Sequence, residues 1–287
     1  MTKIRIATDS TADIPKAICE ELDITVLPLT ILAEGKEYRD GVDITPQEFY
    51  EILEKAETMP VSSQVSSHHY MTLFEESWKA GVTDLIQITL NAKGSGTYQA
   101  AVLSRDLFFE EHPAAAEQLH IHIIDSGTYS MGYGLAVIHA AKLLKQGAEL
   151  ETILAEVRDW VAHARPMFVP LELKFVKKSG RVSAAAAFVG DALGMKPLIT
   201  FENGESKVLT KARGENKAIS TLVETCLKER KAGTEYALVY GNNPEAYAKL
   251  KEAWSEVMDM PPLTEYPVGN VISINTGPNI VAIIYRT

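Results

Sequence analysis

The sequence predicts an α/β protein of two domains: an N-terminal Rossmann-like domain with a mostly parallel sheet, and then an α+β domain. The chain has 287 residues, more than one hydrophobic core usually organises. In the first half, β-rich apolar runs alternate with segments of helical periodicity, which is typical of a parallel sheet covered on both faces. In the second half, Asn203-Gly204 indicates an antiparallel hairpin. We therefore expect domains at residues 1–165 and 166–287, divided near Arg165-Pro166.

The N-terminal domain shows strand and helix signals in alternation. Thr45-Pro46 with Glu48 is a strong helix start, because the threonine caps, the proline suits the first turn and the glutamate completes a capping box. Residues 61–67 (VSSQVSS) indicate a polar connection. We expect strands at residues 3–8, 23–32 (turning back as a small hairpin), 85–90 and 120–125, and helices beginning near Pro15, Thr45, His68, Thr97, Met131 and Glu149.

The C-terminal domain has a different pattern. Residues 167–178 are apolar and partly helical, and SAAAAFVGDALGM at 183–195 predicts a helix of small residues. The remaining expected elements are strands at 196–201, 206–212, 236–240, around Glu265, around Val271 and at 280–285, and helices at 214–231 and 244–257.

Charge and composition argue against several classes of protein. Twenty-eight basic residues against 38 acidic ones give a formal charge of −10, without a concentrated basic run of the kind that binds nucleic acid. No stretch approaches the ~20 apolar residues of a membrane span, and the first ten residues lead into a strand without a signal-peptide core. Cys19 and Cys226 are far apart and are expected to be free thiols. We therefore expect a cytoplasmic protein that does not bind nucleic acid.

The chain is organised around residues 84–101, where a buried strand leads through a glycine-flanked serine into a helix. Backbone N–H groups at such a helix start are unpaired and attract anions. The Ser95 and Thr97 hydroxyls are additional donors. This turn therefore predicts an oxyanion or carboxylate pocket; the alternative is that Ser95 or Gly96 only caps a tight turn.

Three other hydroxyl-rich loops are expected beside this turn. Asp9-Ser10, residues 61–67 and Asp125-Ser126 each follow or approach a predicted strand of the parallel sheet. Ligands of open α/β sheets bind at the carboxyl ends of the strands, so these loops indicate a binding site at that edge. Asp9 and Asp125 could be paired carboxylates, but we expect each to cap the turn after its strand.

Five motifs, spaced along essentially the whole chain, resemble those of the DegV family. They are Asp9-Ser10 of a DSxxD opening, Ser62-Ser63-Gln64-x-Ser66, Gly94-Ser95-Gly96-Thr97-Tyr98-Gln99, Lys178-Ser179-Gly180-Arg181-Val182-Ser183 and Asn275-Thr276-Gly277-Pro278. Characterised members of this bacterial family are fatty-acid-binding subunits of the fatty acid kinase. The resemblance implies a two-domain α/β fold with a tunnel between the domains, in which one long-chain fatty acid is buried.

The resemblance also implies a partner and a role in phospholipid metabolism. An ATP-dependent kinase subunit would convert the bound carboxylate to an acyl phosphate. The partner would supply nucleotide and metal, so this chain needs no cofactor of its own, consistent with its lack of a GxxxxGK loop. The chain itself would be a non-catalytic, substrate-presenting subunit, with possible transient contact with a membrane surface.

Carried over by position, the resemblance assigns the site residues. The carboxylate would meet Ser62, Ser63, Ser95, Gly96, Thr97, Asn275 and Thr276, and Arg181 would lie at the mouth or the partner surface. Asn275 departs from the family pattern, which usually has histidine there, and asparagine neither titrates near neutral pH nor carries positive charge. Smaller departures are Ser62 for threonine, Ser179 for glycine and Asn279 for the last glycine of the ending. A lipid carrier or sensor without phosphoryl transfer is therefore the alternative function.

A fatty acid also needs an apolar slot, because each CH₂ gains about 0.8 kcal/mol on leaving water. We expect the second domain to line it, with alanines leaving an open trough. The expected acyl-chain residues are Phe168, Leu171, Phe175, Ala185, Phe188, Leu193 and Met195. The alternative is that these side chains form the ordinary core of that domain.

Three rival sites have weaker signals. Gly94-x-Gly96 imitates half of a dinucleotide fingerprint, but the third glycine position is Gln99. A serine hydrolase is disfavoured because Ser95 lies in GSGT and not in a GxSxG elbow. No metal site is expected, since His120-x-His122 lacks a nearby carboxylate or cysteine to complete a ligand set.

Overall fold

The computed structural model describes residues 2–186, 194–258 and 260–287, which form three β-sheets with helices packed against them. The strands are β1 (Ile4–Asp9), β2 (Ile24–Leu27), β3 (Thr30–Ala33), β4 (Lys36–Arg39), β5 (Val61–Ser63), β6 (Asp84–Thr89), β7 (His120–Asp125), β8 (Ala164–Pro170), β9 (Met195–Glu202), β10 (Glu205–Arg213), β11 (Ala237–Tyr240), β12 (Thr264–Pro267) and β13 (Ile280–Arg286). The α-helices are α1 (Lys16–Leu22), α2 (Pro46–Lys55), α3 (Ser67–Lys79), α4 (Thr97–Glu111), α5 (Met131–Lys145), α6 (Leu150–His163), α7 (Val176–Ser179), α8 (Ser183–Ala186), α9 (Glu215–Glu229), α10 (Pro244–Ser255) and α11 (Asn270–Thr276). Within the described residues, none of the helices combines the length and the apolar character that a membrane span requires.

The first sheet is parallel, with the strand order β2-β1-β6-β7, as predicted for a Rossmann-like domain. Ile6 and Ile86 face the largely buried helix α5, whereas Ala7 and Leu85 face α3 and α4. Because the strands run in one direction, the loops after β1, β6 and β7 meet at one edge.

The second sheet is mixed and has the order β10-β9-β8-β13-β11-β12. Strand β13 runs antiparallel to both β8 and β11, whereas β11 and β12 are parallel. Its two faces differ in what they contact: Val281 and Ile283 pack with residues of α9 and α10, while Ile280 and Ala282 share a core with α5. This alternation follows from the two-residue period of a strand.

A third, small sheet joins β4, β3 and β5 in antiparallel order. It places Ser62 opposite Ile31 and Ser63 opposite Thr30. The prediction that residues 61–67 are only a polar connection is therefore wrong for 61–63, because their backbone pairs with β3 although all three side chains are exposed.

Several other predicted elements need correction. Residues 23–32 form two strands in two different sheets, since Pro28 and Leu29 separate β2 from β3. Residues 167–178 are mostly strand β8 and a short helix, and Val271 lies in helix α11 and not in a strand. The helix predicted at 183–195 is described only as α8, and Met195 begins β9. The capping box of α2 and the Asn203-Gly204 hairpin are confirmed.

Helix α5 connects the two large sheets, because it packs against β1 and β6 of one and against β8, β11 and β13 of the other. The boundary expected near Arg165-Pro166 falls inside β8, which begins at Ala164. A two-domain layout fits this arrangement, and the position of the boundary stays a prediction.

Candidate functional site

A cavity of about 440 Å³ lies between the carboxyl edge of the parallel sheet and the inner face of the mixed sheet. Pockets that hold small ligands span roughly 300–1,000 Å³. Most of its polar lining comes from β5 and from loops of the N-terminal half: Ser62, Ser63, Gln64, Gly94, Ser95, Gly96, Tyr129 and Ser130. Most of its apolar lining comes from the mixed sheet and the segment around α11, with Val182 added from the connection between α7 and α8: Pro166, Phe168, Phe201, Val239, Val268, Val271, Ile272, Ile280, Ala282 and Ile284. The cavity thus has one polar wall and one apolar wall.

The apolar wall is one face of the mixed sheet. Pro166 and Phe168 of β8 contribute alternate side chains, as do Ile280, Ala282 and Ile284 of β13. The intervening residues point away and pack under α9 and α10. The small side chain of Ala282 in the middle of β13 leaves room that a leucine or phenylalanine would fill.

The glycine-flanked turn forms the centre of the polar wall. The Ser95 hydroxyl lies 2.9 Å from the Thr97 hydroxyl and accepts the Thr97 backbone N–H at 3.3 Å, immediately before α4. A Cβ at Gly94 would overlap the Tyr129 hydroxyl, and one at Gly96 would overlap the Gln64 amide oxygen. At Gly94 the rigid Tyr129 ring would have to move, whereas at Gly96 the flexible end of the Gln64 side chain could shift aside. The first N–H groups of α4 are left without helical partners.

Tyr129 is held in this wall by Asn91. The Asn91 amide donates to the Tyr129 hydroxyl at 2.8 Å and to the Gly204 carbonyl at 2.7 Å, so it ties the loop after β6 to the β9–β10 hairpin. Burial is the main cause that raises the pKa of Tyr129. Its phenol therefore remains protonated at neutral pH and offers a neutral hydroxyl.

Ser130, the N-cap residue immediately before α5, has a strained backbone. Its φ of 54° and ψ of −145° lie in a region that residues other than glycine rarely adopt. Such a conformation costs about 1–3 kcal/mol and persists only when its surroundings hold it. Here the Ser130 hydroxyl donates to the buried carboxylate of Asp13.

Asn275 and Thr276 reach the cavity from the last turn of α11. The Asn275 amide donates to the Val271 carbonyl at 2.9 Å, and the Thr276 hydroxyl lies 3.1 Å from the Ile272 carbonyl and 3.0 Å from that of Gly277. Their donors are therefore partly used within the helix itself.

Arg181 lies in the cavity lining with an exposed side chain, and it is the only charged residue among the described lining residues. Its guanidinium lies 3.3 Å from the Ser179 carbonyl, and the Ser179 hydroxyl accepts the backbone N–H of Arg181 at 3.1 Å. The polar wall can therefore hold an anion with hydroxyls, amides and the α4 N-terminus, without a buried ion pair.

Of the residues predicted for the site, several lie away from the lining. Thr97 is buried behind Ser95, where its hydroxyl accepts the Val65 N–H at 3.4 Å. Leu171 packs in the core under α9 and α10, and Phe175 packs beside Gly277. Met195, which begins β9, is also outside the lining. Phe188, Leu193 and the side chain of Ala185 lie outside the described residues.

Asp9 and Asp125 have the capping roles that were predicted. Asp9 accepts the Thr11 N–H at 3.1 Å and the Leu90 N–H at 2.9 Å. Asp125 accepts the N–H groups of Ala92 and Gly127 at 2.9 and 3.0 Å. These bonds fix the loops that carry the polar wall.

The rival chemistries find little support at this site. No histidine occurs among the described lining residues, so no base of that kind lies beside Ser95. Across the described ranges, no group of three or more His, Cys, Asp or Glu side chains could hold a metal ion. The expectation that His120-x-His122 lacks a nearby carboxylate is wrong, because the His122 imidazole lies 3.0 Å from the Asp84 carboxylate, which β6 places beside β7.

The sequence-based prediction missed much of the apolar wall. Residues 280–285 (IVAIIY) are apolar on both faces, so no alternation marks those that face the cavity. Tyr129 and Ser130 were also missed. Their position just after Asp125-Ser126, at the carboxyl end of a predicted strand, could have indicated that they lie at the site. Gln64 lies within the Ser62-Ser63-Gln64-x-Ser66 motif but was not assigned to the site.

Comparison with known proteins identifies the relatives of this chain. The family model described as "uncharacterised protein, DegV family" matches residues 3–287. A DegV domain-containing protein of Caldanaerobacter subterraneus is 32% identical over 291 residues, covering 100% of this chain and 99% of that protein.

Three solved structures share the fold. A DegV family protein from Thermus thermophilus, described by its fatty acid binding, has 28% identity, a TM-score of 0.87 and 100% coverage of both chains. A stearic acid-binding protein from Eubacterium ventriosum has 26% identity and a TM-score of 0.87, covering 100% of this chain and 98% of that one. The Streptococcus pneumoniae fatty acid kinase (Fak) B3 protein, loaded with linoleic acid, has 21% identity and a TM-score of 0.83 over 99% of both chains, and at that identity it shows the fold alone.

Proposed function

The chain belongs to the DegV family, and on that premise we propose that it binds one long-chain fatty acid in the cavity between its two large sheets. The carboxylate lies against Ser62, Ser63, Ser95 and Gly96, and the acyl chain lies along the inner face of the mixed sheet. The single observation that carries this proposal is the joining, in one cavity, of a hydroxyl-rich wall and a continuous apolar wall.

The energetics suit such a ligand. Removing about sixteen carbons from water contributes on the order of 10 kcal/mol, at about 0.8 kcal/mol per CH₂. A carboxylate without hydrogen bonds would offset that gain, because an unpaired buried charge is very costly. The hydroxyls of Ser62, Ser63 and Ser95 and the N–H groups at the start of α4 can satisfy it.

We further propose that the bound acid is presented to an ATP-dependent kinase subunit for conversion to an acyl phosphate. Hydroxyl and backbone donors leave a carboxylate oxygen more nucleophilic than a close arginine pair would. Arg181, exposed at the cavity, suits a position at the mouth or the partner surface.

A carrier or sensor without phosphoryl transfer is the second candidate, and Asn275 favours it. This side chain cannot carry positive charge, and its amide already donates to the Val271 carbonyl. Mixing the lipid-loaded protein with a fatty acid kinase subunit and ATP separates the two candidates, since only a presenting protein yields acyl phosphate.

The first test is mass spectrometry of the purified protein after extraction under denaturing conditions. We expect a stoichiometric acid of about 14 to 18 carbons, the range whose burial gives the energy above. Replacing Ser95 with alanine removes a donor from the polar wall and should lower the retained fraction by about ten-fold, the loss of one hydrogen bond to a charge. Ser220→Ala on α9, far from the cavity, is the matched control and should retain the acid.

Two results would contradict this assignment. An extract without any fatty acid, from protein that also fails to take up palmitic acid, would remove lipid binding. Equal retention by Ser95→Ala and the Ser220→Ala control would remove Ser95 from the carboxylate site.

A further inference from the structure

Gln64 lies in the lining of the cavity, and its side chain is exposed there. Within the described residues, its carboxamide forms no hydrogen bond. By contrast, the hydroxyls of Ser95 and Tyr129 and the amide of Asn275 are each bonded to a protein group. The Gln64 carboxamide therefore retains two N–H donors and a carbonyl acceptor for a ligand.

The backbone on both sides of Gln64 is held in place. Ser63 ends β5 and pairs with β3. The Val65 N–H donates to the Thr97 hydroxyl at 3.4 Å, and the Ser66 hydroxyl caps α3. The segment is therefore fixed against the start of α4, and Gln64 can respond to a ligand by turning its side chain alone.

The carboxamide of Gln64 lies over Gly96, the residue immediately before α4. A Cβ built on Gly96 would overlap the amide oxygen and lie 3.5 Å from the amide nitrogen. The φ of −75° and ψ of 4° at Gly96 are open to residues other than glycine, so its backbone conformation does not require glycine. The space left by the missing side chain is instead taken by the Gln64 carboxamide.

Either end of this carboxamide can face a ligand. The last torsion of a glutamine side chain is broad and roughly two-fold, so a half turn exchanges the oxygen and the nitrogen. A carboxylate only accepts hydrogen bonds, and the N–H groups at the start of α4 favour an anion at this place. A carboxylate beside Gly96 would therefore select the N–H end of Gln64.

We propose that Gln64 is a specificity-determining residue whose carboxamide N–H donates to the ligand's carboxylate, and that Gly96 leaves the space in which it does so. This inference rests on the proposed function and deepens it, because it names the group that selects an acceptor-only head group. The amide is neutral, so it adds a hydrogen bond to those of the hydroxyls without adding an ion pair.

The test measures the partition of labelled palmitic acid between lipid-free protein and phosphatidylcholine vesicles. Gln64→Met keeps the length of the side chain but removes its hydrogen bonds, and it should weaken binding about ten-fold, the loss of one hydrogen bond to a charge. Gln64→Glu places a second carboxylate beside the first and should weaken binding about one-hundred-fold, because like charges repel. Binding equal to that of wild type in either variant overturns the proposal.

Hexadecanol distinguishes a changed head-group preference from a damaged cavity. Its hydroxyl can donate to a glutamate carboxylate, so Gln64→Glu should hold the alcohol at least as tightly as wild type does while it loses the acid. The preference for acid over alcohol should therefore fall about one-hundred-fold. An equal loss of both ligands would mean that the substitution deforms the cavity, and it would count against a role of Gln64 in head-group recognition.

Gln47→Met and Gln47→Glu are the matched controls. Gln47 is an exposed residue of α2 that lies outside the cavity lining, and its replacement changes the total charge in the same way. Both variants should bind palmitic acid as wild type does. If Gln47→Glu weakens binding as much as Gln64→Glu, the total charge of the protein is the cause and the proposal is wrong.

A double-mutant cycle tests the pairing of Gln64 with Gly96. Gly96→Ala should displace the carboxamide and weaken binding of palmitic acid about ten-fold in the presence of Gln64. In the Gln64→Ala background the same change should have no further effect, because the added methyl group then meets open space. Losses that simply add would show that the two residues act independently.

Wild-type protein separates failure of this inference from failure of the proposed function. If lipid-free wild type takes up no palmitic acid from the vesicles, the proposed function fails, and the role of Gln64 fails with it. If wild type takes up the acid and Gln64→Met does so equally well, lipid binding stands and only the role of Gln64 is overturned.

Discussion

Single residues determine how the polar wall is held together, and Asn91 shows this most directly. Its side chain is 1% exposed, and its two N–H donors are both used, one on Tyr129 and one on the carbonyl of Gly204. Its oxygen accepts the Lys93 N–H at 3.0 Å. One amide therefore fixes the turn before Ser95, the aromatic ring beside it and the hairpin of the mixed sheet.

Replacing Tyr129 with phenylalanine tests this role. The change leaves one donor of the buried Asn91 amide without a partner, which should lower the free energy of unfolding by about 1–3 kcal/mol. The ring itself remains beside Gly94 and Phe201, so palmitic acid should still bind. Urea denaturation measures the first effect and mass spectrometry the second.

Tyr38→Phe is the control for that experiment. Tyr38 is also half-buried, and within the described residues its hydroxyl has no hydrogen-bond partner. Its replacement should leave stability nearly unchanged. An equal loss in both variants would show that the Asn91 bond contributes nothing specific.

At the scale of elements, β13 serves two purposes with adjacent side chains. Ala282 and its alternate neighbours face the cavity, whereas Val281 and Ile283 fill the core under α9 and α10. The face of β13 that carries Ala282 borders open space in the cavity, whereas the face that carries Val281 and Ile283 is closely packed. The same kind of substitution should therefore have opposite consequences at neighbouring positions.

Ala282→Leu and Val281→Leu make this comparison. Ala282→Leu should fill part of the cavity, so that the extracted acid becomes shorter or is lost, without lowering the free energy of unfolding of the lipid-free protein. Val281→Leu should overpack the core at a cost of about 1–3 kcal/mol and leave the bound acid unchanged. Denaturation measures the stability of both variants, and mass spectrometry measures the bound acid. If Ala282→Leu lowers the stability and Val281→Leu alters the bound acid, the cavity-facing and core-facing sides of β13 are assigned incorrectly.

The elements also show what could be predicted from the sequence. Alternation and capping signals predicted the parallel sheet, the α2 capping box and the Asn203-Gly204 hairpin. They failed at Val271 and in residues 167–178, where short apolar runs fit a strand and a buried helix equally well. Ser95 was predicted as a site residue from its glycine neighbours. Ala282 and Val239 were not predicted, because their place in the lining depends on which face of the mixed sheet borders the cavity.

At the scale of the whole molecule, the proposed ligand would be linked to the stability of the fold. The cavity is bordered by both large sheets and by α11, so an acyl chain bound there would contact elements far apart in the sequence. A ligand that binds only the folded chain stabilises it by mass action, about 2.7 kcal/mol at a concentration one hundred times its Kd.

Removing the lipid should therefore lower the melting temperature by several degrees. Calorimetry of the protein before and after extraction with a lipid-binding resin measures this change. Adding palmitic acid should restore the original value, and hexadecanol, which lacks the carboxylate, should restore less of it. An unchanged melting temperature after verified removal would contradict binding inside this cavity.

The face of the mixed sheet that lines the cavity is covered by elements from the first half of the chain. Phe168, Val239, Ile280 and Ala282 are sheltered from solvent only because α5 and the loops of the first 165 residues lie across them. Separated from that cover, residues 166–287 would present a broad oily surface of the kind that drives self-association. The cavity proposed for the lipid is thus also the place where the two large sheets meet, and we expect residues 166–287 expressed alone to aggregate.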